Sequence, residues 1–413
     1  MPTYQGRIGG KEMESIKDKV AIIGMGCTQF GELWDKDAYD LVIDSAYEAY
    51  EDAGIDPKAI QAAWVGTITG TTGTQLSAPL KTDYIPVTRV ENMCATGMES
   101  LRAATYALIA KAYDLVLAIG YEKLKDTGFG GLGLATQAGG SEKWHPVFGS
   151  GDSAPGRYAL AATRYFHRFG LSREEGKRTL AKISVKSHYN GARNPRAHLR
   201  MEVTEEQVIN APIIAWPLGL FDACGVTDGG SAAILCRTED VKKYKPGGDY
   251  ITIKSFGIST GPGMGKIRTD YDYTHWEETQ RAARQAYADA GIKDPRQDID
   301  MCEVHDCFSI AELMCYEDLG FCEKGKAKYD IEAGTFALNG KHPFNVGGGL
   351  KSFGHPVGAS GIREVFEGYV EILGRAQLPE RQLKNVEIAL AHNQGGNPGR
   401  FICSVCIVGV PGK

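Results

Sequence analysis

Short apolar or β-branched runs alternate along this chain with longer stretches whose apolar residues recur every three or four positions. That is the pattern of strands alternating with amphipathic helices. Val20–Gly24, Ala62–Ile68, Tyr84–Val90, Leu115–Ile119 and Gly230–Cys236 read as strands of a first half, with helices at Ala38–Ala53 and Leu101–Ala112. Ile251–Phe256, Asp300–Val304 and Val386–Ala391 read as strands of a second half, with helices at His275–Ala290 and Ile362–Leu373. Gly54 and Gly291 stand where each first helix should stop. The order repeats, and Ala49-Tyr-Glu-Asp-Ala-Gly-Ile-Asp56 matches Ala286-Tyr-Ala-Asp-Ala-Gly-Ile-Lys293 at the same place in each copy. An internal duplication explains both.

The expected organisation is an arm at 1–19, a first α/β half at 20–120 and 222–245, and a second half at 246–413. Residues 121–221 interrupt the first half, glycine-rich at the start, then helical and basic around Lys177–Arg200. An insertion of this kind suits a lid or recognition region. Its cations either meet a phosphorylated substrate or form a solvated face.

The 413 residues carry a net charge of −5, which gives no general attraction to nucleic acid. No apolar run has the length of a membrane span, and Met1–Lys19 is too polar for a secretory signal, so a cytoplasmic protein is expected. The ten cysteines are scattered and read as reduced thiols. Cys403-Ser-Val-Cys406 has CxxC spacing inside an apolar run and reads as core. Gly24-Met25-Gly26 lacks the third glycine of a dinucleotide turn, and no Gly-x-Ser-x-Gly elbow is present.

Four places hold nucleophile and acid–base chemistry. Cys94 lies between a β-branched run and a helix, where free N–H groups and the helix dipole favour thiolate and oxyanion alike. His305-Asp-Cys307-Phe308 follows a strand, His355 sits in a Gly-His-Pro turn, and His392 opens His-Asn-Gln-Gly395-Gly. All four are read as following strands in equivalent half-domain positions, the turns at Cys94 and His355 matching each other. A zinc site from the same residues would consume the lone pairs that this chemistry needs, and the close paired-ligand spacing of structural zinc is missing.

In combination, Cys94-Ala-Thr-Gly97, Lys186-Ser-His188 with Asn194-Pro-Arg196, Thr227-Asp-Gly-Gly-Ser231, His305-Asp-Cys-Phe308, Gly354-His-Pro356 and His392-Asn-Gln-Gly395 resemble the thiolase superfamily. Within it the likeness is to the sterol-carrier-protein type and its archaeal and bacterial relatives. The resemblance implies a five-layered αβαβα fold of two similar halves with an inserted loop domain that helps to bind coenzyme A. It implies Cys94 as acyl carrier, His355 as its activator and Cys307 as the acid/base thiol. The usual Cys-x-Gly is absent, and His392 stands there instead. It further implies His305 and His355 at the enolate oxygen, and backbone N–H groups of Cys94 and Gly395 at the tetrahedral oxyanion. Coenzyme A is then a substrate, with no metal in this chain. The implied partners are a second copy in a homodimer and a small OB-fold zinc-ribbon protein. The Gly128–Gly133 loop and Cys315–Cys322 are similar to thiolases that cleave benzoylsuccinyl-CoA, with acetoacetyl-CoA the simpler alternative. An acyl-CoA or lipid-binding scaffold without catalysis is the reading from another class.

Overall fold

The computed structural model describes residues 7–8, 11–12, 14–127, 153–262 and 270–413. The first half is built from β1 (Val20–Cys27), α1 (Ala38–Ala53), β2 (Ala62–Gly66), β3 (Val87–Val90), α2 (Thr96–Ile109), β4 (Leu115–Glu122) and, later in the chain, β5 (Gly229–Arg237). Between β4 and β5 run α3 (Ala154–Phe169) and α4 (Arg173–Ala192). The second half contains β6 (Ile251–Thr260), α5 (Glu277–Ala290), β7 (Met301–Val304), α6 (Ser309–Asp318), α7 (Ser360–Ile372), β8 (Ile388–Asn397) and β9 (Arg400–Gly409).

Hydrogen bonds join nine strands in the order β7-β8-β9-β6-β1-β5-β4-β2-β3. The order is one pattern laid down twice. In the first half β2–β4 is parallel and β4–β5 and β5–β1 are antiparallel; in the second, β7–β8 is parallel and β8–β9 and β9–β6 are antiparallel. The copies meet where β1 and β6 pair antiparallel, Ile22 opposite Ile251. Both first helices end as the repeat requires, on left-handed glycines: Gly54 at φ 68° and Gly291 at φ 82°.

The layers follow from which faces are apolar. Leu41, Val42, Ala46 and Ala49 of α1 pack on Ala21, Ile23, Leu117 and Ile119, covering the outer face of the first half. Ala282 and Ala286 of α5 join residues of α3 and Val405 of β9 on the outer face of the second. Helices α2 and α7 lie between, where Met98, Leu101, Ile362 and Val365 share one core with Ala118 and Ala391. The result is the αβαβα arrangement, with α2 and α7 as its middle layer.

Two details depart from the sequence expectation, and a third adds to it. Strand β8 does not stop at Ala391: its pairing with β9 continues through Gly395 opposite Ile402 to Asn397 opposite Arg400. His392–Gly395 are therefore strand residues, because the chain turns back at once and supplies them with a partner. Among the described residues the second half also has no full counterpart of β3, so His355 does not follow a strand. The counterpart is reduced to one parallel bridge, Cys302 with Phe344. Beyond it the backbone is held by Asp306, whose carboxylate accepts from the Leu350 N–H and lies 2.8 Å from the Lys351 ammonium. Finally, Asp18 is tied to β6 through the Ile253 carbonyl and the Lys254 ammonium, so the end of the N-terminal arm is anchored. Cys403 and Cys406 are fully buried in β9. The Gly128–Gly133 loop lies outside the described residues. Among those described, no helix is long and apolar enough to cross a membrane.

The middle layer depends on backbone-to-backbone contact. A Cβ on Gly361 would lie 2.4 Å from the Met98 nitrogen and 2.6 Å from the Asn393 side-chain oxygen. Gly361→Ala is therefore expected to push α2 and α7 apart and lower stability by about 1–3 kcal/mol. Urea unfolding measures this directly; an unchanged midpoint would show that the contact is dispensable.

Candidate active site

Cys94 sits on the bend that feeds α2. Met93 adopts φ 52°, a left-handed conformation that costs a side-chain-bearing residue about 1–2 kcal/mol. The bend is held by the Ala95 N–H to the Asn92 carbonyl and by the Asn92 N–H to the Thr96 hydroxyl, 3.1 and 2.8 Å. This strain places the sulfur at the amino end of a buried helix. The backbone of β8 comes close beside it: a Cβ on Gly395 would lie 2.3 Å from the Asn92 oxygen and 2.9 Å from the Cys94 nitrogen.

The two histidines come from the other half. One nitrogen each of His305 and His355 and the Cys94 sulfur all lie within 4.8 Å of one another. The hydrogen bonds fix the tautomer of His355. The Ser360 hydroxyl donates to the Pro356 carbonyl at 2.8 Å, so at 2.8 Å from Nδ1 it accepts. Nδ1 therefore carries the hydrogen, and Nε2, which is buried and has no hydrogen-bond partner among the described residues, presents its lone pair. The His305 ring meets that of His355 nearly at right angles, centroids 5.1 Å apart, and its Nδ1 likewise has no partner among the described residues. Burial, then the Arg363 charge, pushes His355 down to about 3; burial, then the neighbouring histidines, holds His305 well below the usual imidazole range.

The thiol does not behave as its helix position alone suggests. Burial pushes Cys94 up to about 12, and Cys224, Glu122 and Glu91 add to the rise against its own backbone hydrogen bond. Burial thus disfavours the charged form of both groups, outweighing the backbone hydrogen bond at the sulfur. The helix N-terminus can then act only on the sulfur as it loses its proton to Nε2.

Cys307 and His392 separate in role. Cys307 is buried in the loop between β7 and α6, its carbonyl accepting from the Cys224 N–H at 2.9 Å. Burial raises this thiol well above its ordinary value, Cys224 and Cys94 raise it further, and the Tyr158 hydroxyl opposes them. His392 lies one layer behind. Its Nδ1 faces the His305 N–H at 3.4 Å and the Cys315 thiol at 3.6 Å, and its Nε2 lies 2.9 Å from the Thr279 hydroxyl. Both ring nitrogens are thus engaged by protein.

Groups without a motif complete the frame. Glu122, at the end of β4, accepts from Thr67, Ile68 and Thr69 and, at 2.9 Å, from the Gly358 N–H, so one buried carboxylate fastens the Gly-His-Pro turn to the first half. Three of the cations of Lys177–Arg200, expected to face phosphate or solvent, are instead paired with carboxylates elsewhere in the fold. Lys177 pairs with Asp222, Lys186 with Glu312 and Arg196 with Glu48, while Arg178 and Glu205 pair near the surface. Asp222 and Glu312 have no solvent access, which recruits Lys177 and Lys186 as structural counterions.

Residues 20–239 match the thiolase N-terminal domain, and residues 264–405 match the thiolase C-terminal domain-like family. The chain is 36% identical over 387 residues to an acetyl-CoA acetyltransferase of Methanothermobacter thermautotrophicus, covering 92% of this chain and 97% of that one. It is 32% identical over 391 residues to the benzoylsuccinyl-CoA thiolase subunit BbsB of Thauera aromatica, covering 92% and 96%. A solved structure described as an Ltp2-ChsH2(DUF35) aldolase shares the fold with a TM-score of 0.80 at 23% identity, over 96% of this chain and 99% of that one. The chain belongs to the thiolase family and is an acyltransferase.

A raised thiol beside a neutral base has a kinetic signature. The thiolate fraction keeps growing with pH up to the raised value near 12, so alkylation of Cys94 by iodoacetamide should accelerate steadily from pH 6 to pH 10, about tenfold per unit at most. A plateau already present near pH 7 would instead reveal a preformed thiolate–imidazolium pair.

Proposed function

We propose that this chain is a thiolase that cleaves a 3-oxoacyl-CoA with CoA, passing the acyl group through a thioester on Cys94. The convergence of the Cys94 sulfur with one nitrogen each of His305 and His355 carries the reading. As the sulfur attacks the C3 carbonyl carbon, its proton passes to Nε2 of His355. The new S–C bond leaves an oxyanion for the N–H groups of Cys94 and Gly395. Donors of this kind contribute a few kcal/mol each. Cleavage of C2–C3 regenerates a carbonyl on Cys94 and leaves the thioester enolate, its oxygen facing His305 and His355. Cys307 protonates C2. The thiolate so formed takes the proton of incoming CoA, whose sulfur attacks the acyl group, and Cys94 leaves with the proton held on His355. Covalent catalysis thereby divides one hard displacement into two easier ones. Run backwards, the cycle is a Claisen condensation.

His392 supports this cycle from behind, since its ring nitrogens are engaged by protein. For the substrate, likeness to an acetyl-CoA acetyltransferase supports acetoacetyl-CoA, and likeness to BbsB supports benzoylsuccinyl-CoA, which would give benzoyl-CoA and succinyl-CoA. We further propose a homodimeric core and a small OB-fold zinc-ribbon partner supplied in trans, a reading supported by the DUF35 component of the related aldolase.

Intact-protein mass after brief incubation with each substrate, with and without the partner, tests the proposal. A CoA-removable acetyl or benzoyl adduct, absent in Cys94→Ala, is expected and identifies the acyl group. Absence of any adduct under all conditions would favour a binding scaffold.

A further inference from the structure

The strands that deliver His305 and His392 begin at a cavity that the reaction cycle does not use. Ile299 and Asp300 precede β7 and Val386 precedes β8, and together with residues 338–343 they line an open cavity of about 490 Å³. It lies about 15 Å along β7 from His305. None of Cys94, His305, Cys307 and His355 belongs to its lining.

The loops around the cavity are held to the sheet and to one another through their backbones. The Asp300 carboxylate accepts from the Glu387 and Ile388 N–H groups, both at 2.8 Å, and the Cys302 N–H donates to the Pro343 carbonyl at 3.0 Å. The His342 N–H donates to the Thr335 carbonyl at 2.9 Å. A cavity with walls set in this way suits a small molecule.

Charge distinguishes it from the rest of the surface. The whole chain carries −5, yet here Arg296, Lys341, Lys384 and His342 stand against one carboxylate, Asp300, which already serves two backbone donors. Arg296 is shared with Asp330 at 3.1 Å. Lys341 and Lys384 have no carboxylate partner among the described residues, in contrast to Lys177 and Lys186, which buried carboxylates recruit. His342 is 4% exposed, and its Nε2 has no hydrogen-bond partner among the described residues. Burial, then the Arg296 and Lys341 charges, holds this imidazole below its ordinary value, and an anion in the cavity would offset both charges.

Two unpaired ammonium groups call for a ligand with at least two negative charges, and lysine meets phosphate as a point charge without the geometric demands of arginine. The cavity is several times larger than inorganic phosphate, which leaves room for an organic body. We propose that it binds a phosphorylated small molecule, a phosphate or diphosphate ester whose head is held by Lys341 and Lys384 and whose body rests on Ile299, Leu338 and Val386. This site is separate from the one that presents acyl-CoA to Cys94.

Isothermal titration of the full chain with ADP and with inorganic diphosphate, set beside adenosine and succinate, tests the proposal. The substitutions are Lys341→Gln with Lys384→Gln, both at exposed positions where the fold does not depend on the side chain. Lys58→Gln with Lys242→Gln removes the same charge from exposed positions elsewhere and is the control. The reading is the difference between the two double variants, which separates this cavity from any binding of ADP near Cys94. ADP and diphosphate should lose about tenfold or more in affinity in the first variant and stay near the native value in the control. Equal affinity in both variants, no binding at all, or succinate held as tightly as diphosphate overturns the proposal. Diphosphate held as tightly as ADP overturns the part assigned to Ile299, Leu338 and Val386.

Discussion

Everything in this molecule depends on bringing the amino ends of two buried helices, one from each half, into contact without side chains between them. Helix α2 carries Cys94 at its approach and α7 carries His355 at its own. Gly361 lets the α7 backbone reach the Met98 nitrogen. The duplicated sheet makes the approach possible, since β1 and β6 join the two copies and leave one shared core for both helices. Glu122 then ties the Gly-His-Pro turn of the second half to β4 of the first.

The dryness that results from this packing determines the chemistry. In water a helix N-terminus would favour a thiolate; here burial pushes the Cys94 thiol up and the His355 imidazole down, against their charged forms. That combination suits a reaction in which charge is to appear on the substrate oxygen. The proton moves only when the sulfur bonds to carbon, and the backbone donors around Cys94 meet the oxyanion as it forms. The same environment surrounds Cys307, whose thiol burial raises well above its ordinary value.

Much of this could be read from residues alone. The helix at Ala38–Ala53 appears with its expected bounds, and Cys94, His305 and His355 converge as motif residues, because glycine turns and apolar periodicity are local properties. What escaped was non-local. Tyr158 belongs to no motif, and its contact with Gln394 spans 236 positions. The extension of β8 through Gly395 depends on β9 as partner, and the inward pairing of Lys177 and Lys186 depends on buried carboxylates elsewhere in the fold. The resting state of Cys94 followed the same rule: the helix dipole is visible in sequence, while burial is a property of the assembled site.

The central claim is a division of labour, with Cys94 and His355 transferring the acyl group and Cys307 moving the C2 proton. Rapid-quench measurement of acyl transfer onto Cys94 from an activated aryl thioester, whose thiolate leaves without taking a proton, in His355→Ala and in Cys307→Ala, separates the two tasks. The account predicts that His355→Ala slows acylation by about a hundredfold or more, as expected for loss of a general base, while Cys307→Ala acylates at nearly the native rate. Equal loss in both variants would contradict it.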